Sequence, residues 1–102
     1  MTTQDFNKIA EKMLSEAKST LVRKTSEYNL DEDRLSVFKR AAQLQKCTPE
    51  QALLGMVSKQ IISVYDIIEN KQSVSNDVAH EKLGDIINYM ILLYALMNDK
   101  EA

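Results

Sequence analysis

Glycine and proline are scarce. Two glycines and one proline in 102 residues leave few of the tight turns that a strand-rich fold requires, so the expected class is all-α. Cysteine is scarcer still, and a lone Cys47 excludes an internal disulfide framework. A reduced, cytoplasmic setting is the expectation. With His80 the one histidine, a Cys/His zinc site has too few members within one chain. No G-x-x-x-x-G-K-S/T phosphate loop is present, which removes the usual nucleoside triphosphatase cradle. A large excess of either charge is also missing. The formal net charge of −2 gives no broad attraction for nucleic acid or an anionic membrane, although a local basic patch is compatible with it. The opening MTTQDFNKIAEKM has no unbroken apolar stretch and does not read as a secretory signal. The apolar run toward the C-terminus covers about twelve residues and is broken by Asn88, too short for roughly 30 Å of hydrocarbon. It reads as core or oligomer interface, and no membrane partner is expected.

Helical periodicity is what the chain does have. Phe6, Ile9, Ala10, Met13, Leu14, Ala17 and Leu21 recur at three- and four-residue steps, an amphipathic helix starting after Thr2 or Thr3 and reaching about Tyr28. A second, shorter helix is expected over 33–46, with Leu35, Phe38, Ala41, Ala42 and Leu44 as its apolar set. The third has the best-marked start. Thr48 suits the N-cap, Pro49 the first helical position, Glu50 the positive end of the dipole, and Gln51 completes a capping box. That helix extends to about Ile68. Glu69 to Asp77 reads as the main loop, and Ser75, Asn76 or Asp77 then caps a last helix ending near Asn98. One domain over 1–102 follows, a four-helix bundle. The density of apolar residues in its last helix implies completion by homo-oligomerisation.

Two polar stripes interrupt this apolar pattern. Positions four and seven apart lie within about 40° and 20° of one another around a helix. Glu81, Asp85 and Asn88 therefore share one face of the last helix, and Lys59, Ser63 and Asp66 one face of the third. Facing stripes can line a pocket between helices. They can equally be structural, with Lys59 paired to Asp85 or Asp66, or they can be solvated faces. Gly55 and Gly84 inside the same helices suggest close helix approach, or a ligand lying against backbone.

EKLGD, Glu81 to Asp85, at the head of an apolar helix containing Tyr89, resembles the second acidic motif of the all-α nucleoside triphosphate pyrophosphohydrolases, the MazG-like superfamily. The resemblance implies a helical, oligomeric scaffold on which paired acidic motifs hold Mg²⁺ against nucleotide phosphates. Here Lys82 stands where the motif's first Glu belongs, and SKQIISVYDII in the preceding helix has no E-x-x-E. Glu81 and Asp85 remain as weak metal candidates, so no cofactor is expected unless hydrolysis survives with Mg²⁺. A closer similarity is to small phage and prophage proteins at the edge of that superfamily. It rests on Lys24, Glu27 and Tyr28; on Asp33, Arg34, Leu35, Phe38 and Lys39; on Lys59, Ser63 and Asp66; and on Glu81, Lys82, Asp85, Asn88 and Tyr89. Gln60 occupies the position where those proteins carry a histidine.

The function this implies is binding of a small nucleotide or cyclic nucleotide, for a phage-related protein as sequestration of a signal of host immunity. Lys24, Arg34, Lys39 and Lys59 would meet phosphate, and Tyr28, Phe38 or Tyr89 would stack on a base. Asp66, Asp85 and Asn88 would bond to sugar or base edges. One alternative is an active pyrophosphohydrolase with metal held by Glu81, Asp85 and Asp66; another is a non-enzymatic helical interaction module. FKRAAQLQKCTPEQALLGM has a helix–turn–helix outline, but PEQALLGM offers Glu and apolar groups where base edges call for Arg, Lys, Asn or Gln, which disfavours DNA. His80 reads as an exposed residue.

Overall fold

The computed structural model describes residues 1–27, 33–69 and 75–99, with the side chains of 24–27 excepted. Among the described residues there are four helices and no strand: α1 (Thr3–Glu27), α2 (Ser36–Gln45), α3 (Pro49–Glu69) and α4 (Asn76–Met97). No described helix is long and apolar enough to cross a membrane.

The starts are set by side chains that satisfy otherwise unpaired N–H groups. Thr2 Oγ1 accepts from the Asp5 N–H at 3.0 Å. Thr48 and Gln51 form the reciprocal box read from the sequence: the Gln51 N–H donates to Thr48 Oγ1 at 3.1 Å and the Thr48 N–H to Gln51 Oε1 at 2.9 Å. Ser75 Oγ accepts from the Val78 N–H at 3.4 Å, so the first of the three candidate caps opens α4. The second helix differs from expectation. It begins three residues later than Asp33, because the Asp33 carboxylate accepts from the Leu35 N–H at 2.9 Å and holds residues 33–35 as a turn. It ends at Lys46, which takes the left-handed conformation (φ 55°, ψ 49°) usually left to glycine.

α3 and α4 pack along each other at the centre, α2 lies on α3, and α1 lies on α4. This is an open array rather than a closed four-cornered bundle. Its radius of gyration is 15.7 Å over extents of 45 × 28 × 22 Å, against about 13 Å for a compact chain of this length. Phe38 of α2, Leu53 of α3 and Leu96 of α4 form the buried cluster, with Leu35, Met56, Tyr89, Leu92 and Leu93 packed against it. α3 is therefore a core helix: Ala52, Leu53 and Val57 near its start are 1% exposed or less, a poor surface to offer a DNA groove. The two helical glycines do not mark close backbone approach. A Cβ at Gly55 meets nothing within 4 Å, and one at Gly84 meets Met13 Cε at 3.7 Å, ordinary contact.

Candidate functional site

The α3–α4 pair, capped by the turn before α2, encloses a cleft of about 340 Å³. Arg34 and Phe38 enter from the turn and α2, Met56 and Gln60 from α3, and Asp85, Asn88, Tyr89 and Leu92 from α4. Five of the ten residues singled out from the sequence thus meet here: Arg34, Phe38, Asp85, Asn88 and Tyr89.

Helical phase explains which α3 residues reach the cleft. Met56 and Gln60, four apart, sit on one line, whereas Lys59 and Asp66 lie about 60–120° further round and Ser63 about 20–60°. Lys59 and Asp66 are accordingly exposed and line no cleft described here, a correction to the expected site. No ion pair joins Lys59 to Asp85 or Asp66 among the described residues. Gln60, one position on, takes the place in the wall. Lys24 and Tyr28 lie outside the described side chains.

Lys39 is also corrected. Its ammonium donates to Asp33 Oδ2 at 2.6 Å and lies 2.8 Å from Asp99 Oδ2. Two carboxylates hold it, so it is a clamp rather than a phosphate contact. The clamp ties the turn carrying Arg34 to the chain just after α4, and so orders one wall of the cleft. Its charges answer to pH in opposite senses. The Lys39 hydrogen bond, then the Leu35 N–H, draw the Asp33 carboxyl below its ordinary 3.8. Hydrogen bonds to Asp33, then Asp99, raise the Lys39 ammonium above its ordinary 10.5. Asp33 therefore contributes stability above about pH 3.8 that is lost as pH falls through its lowered value. Lys39 contributes below about pH 10.5 and loses it as pH rises through its raised value. Lys39→Met is expected to flatten both limbs of a melting-temperature profile between about pH 2 and 12, with the separation read by differential scanning calorimetry.

Asn88 is the most buried polar residue of the cleft, 7% exposed. Its Nδ2 donates to the Ala17 carbonyl of α1 at 3.0 Å, which fixes the amide orientation, since the opposite one would set two oxygens together. The Oδ1 is buried without a hydrogen-bond partner. Leaving such an acceptor unpaired costs about 1–3 kcal/mol.

Asp85 and Asn88 also border a second cleft, about 350 Å³, between α1 and α4. Glu16, Thr20, Arg23, His80, Glu81 and Gly84 complete it. His80 is half-buried rather than exposed, because α1 covers it. Its Nε2 lies 2.6 Å from Glu16 Oε2, an ion pair when the ring is protonated, although the ring N–H direction misses the carboxylate. Glu81 faces this cleft and Asp66 faces solvent, so the three carboxylates of a rearranged metal site do not converge. Among the described residues no three His, Cys, Asp or Glu side chains are arranged to hold a metal ion. No protein-family model matches the chain, and no curated protein or solved structure matches it.

Proposed function

We propose that the protein binds a small nucleotide carrying little negative charge, a nucleoside monophosphate or a cyclic nucleotide, in the cleft between α2, α3 and α4. On this reading the scaffold is of the MazG-like kind, with most of the metal ligands lost. The observation that carries it is the meeting of a guanidinium, two aromatic rings, two carboxylates and a buried amide around one hollow of about 340 Å³. That is near the lower end of small-molecule sites, roughly 300–1,000 Å³. Arg34 suits the phosphate, since a guanidinium can bond two phosphate oxygens at once. Tyr89 offers a face to the base, backed by the buried Phe38, and Asp85 accepts from its N–H edge or from ribose hydroxyls.

Charge selects among nucleotides. Arg34 is the one cation lining this cleft among the described residues, Asp33 and Asp85 are its lining carboxylates, and the clamp of Lys39 between Asp33 and Asp99 is left net negative. A triphosphate would enter without a metal or further cations to balance it, so the monophosphates and cyclic forms fit better. The test is to denature the purified protein and search the released small molecules by mass spectrometry. Thermal shifts with mono-, cyclic and triphosphates, each with and without Mg²⁺, accompany it. Stabilisation by a mono- or cyclic nucleotide, indifferent to Mg²⁺, is expected. No shift with any nucleotide at millimolar concentration would remove the reading.

A further inference from the structure

Several polar groups lining the cleft between α2, α3 and α4 are already bonded within the chain. Asp33 Oδ1 accepts from the Leu35 N–H and Oδ2 from the Lys39 ammonium. The Asn88 amide is buried and donates to the Ala17 carbonyl. Asp85 and Gln60 are different. Each is half-buried, one on the α4 wall and one on the α3 wall, and neither has a hydrogen bond or ion pair among the described residues.

A half-buried carboxylate without donors is costly, and its chemistry states what it lacks. It accepts only, through two oxygens, and so suits a pair of adjacent N–H donors. The common bases differ on this point. Guanine alone carries two donor groups side by side on its pairing edge, the N1–H and the 2-amino group. Adenine and cytosine set one amino group beside a ring nitrogen that accepts, and uracil sets one N–H between two carbonyls. Each of these three turns a lone pair toward a carboxylate oxygen, which costs affinity. Cytosine's amino group can satisfy a carboxylate in duplex readout, but no second donor group stands beside it.

Gln60 completes the match. Guanine O6 lies next to the N1–H on the same edge and accepts, and the Gln60 amide can turn its NH₂ there because no bond fixes its orientation. Tyr89 follows Asp85 by one turn, about 6 Å along α4 and 40° round it, so ring and carboxylate share a face. Asp85 also borders the α1–α4 cleft, but of the two clefts only this one is lined by Gln60 and Tyr89.

We propose, on the nucleotide reading of this cleft, that the base it selects is guanine. Asp85 accepts from the N1–H and the 2-amino group together, Gln60 donates to O6, and Tyr89 carries the ring.

The test is calorimetric titration of the full chain with the 5′-monophosphates of guanosine, inosine, adenosine, cytidine and uridine, and with their 3′,5′-cyclic forms. Within each series the phosphate is constant, so differences report the base. Guanosine should bind tightest. Inosine keeps N1–H and O6 but lacks the 2-amino group, and should bind about tenfold more weakly; the other three should be weaker still. Asp85→Asn should erase the gap between guanosine and inosine, because its NH₂ would oppose the 2-amino group. Gln60→Leu should weaken guanosine and inosine alike, by about fivefold. Circular dichroism checks that both variants keep their helices, and the comparison among bases in the unsubstituted chain is free of any folding defect. Equal binding of guanosine and inosine, or preference for another base, would overturn the guanine assignment while leaving nucleotide binding in place. A guanosine preference that survives Asp85→Asn would overturn it too, by moving the selection to other residues. Binding of none of these nucleotides at millimolar concentration would overturn both.

Discussion

Leu53→Ala is expected to lower the unfolding free energy by about 2–5 kcal/mol, the range for truncating a fully buried leucine. Leu53 is 0% exposed and joins Phe38 and Leu96, so one side chain holds three helices together. The lost transfer energy accounts for part of the cost. The remainder comes from the cavity, which collapses poorly because helix backbones fix its walls. A domain of this size has about 5–15 kcal/mol in total, so the substitution removes a large share. Urea denaturation at fixed protein concentration should show a lower midpoint with a similar slope. A change under about 1 kcal/mol would mean that the cluster is not the core. By contrast, Leu54→Ala, one residue along and 45% exposed, should cost far less.

Arg34→Ala is expected to weaken binding of a mono- or cyclic nucleotide by about tenfold to a hundredfold, since a hydrogen bond to a charged group contributes about 1.5–3 kcal/mol. Calorimetric titration measures it directly. Arg34 sits on the turn that Asp33 holds and the Lys39 clamp anchors, and circular dichroism of the variant checks that the helices are kept. Lysine is expected to restore little, because it cannot reproduce two-point contact with a phosphate. Asp85→Ala should likewise abolish the ligand-induced thermal shift while leaving helix content intact. An unchanged affinity in Arg34→Ala would separate this cleft from phosphate recognition.

Much of the helix framework was legible because capping is local chemistry. Thr2, the Thr48–Gln51 box and Ser75 each bond within three residues of themselves, so the signal lies in a few consecutive letters. The start of α2 was less legible because Asp33 has two local uses, helix opening and turn, and Lys39 six residues later selects the turn. The acidic stripe on α4 was read correctly as lying on one face. Its division between two clefts was not, since that depends on where α1 and α3 flank the helix. For α3 the polar stripe itself misled. Lys59 and Asp66 drew attention by charge, whereas the cleft is met by Met56 and Gln60 a fraction of a turn away. The signal available was phase: on α3 the buried line through Leu53 and Val57 lies nearer to Gln60 than to Lys59.

The most direct measurement is a two-dimensional amide NMR titration of the full chain with a nucleoside monophosphate and with a cyclic nucleotide. The account expects shifts concentrated at residues 34–38, 56–60 and 85–92, with the ends of α1 unmoved. Saturable changes confined to α1 and residues 80–81, or no change at millimolar ligand, would contradict it.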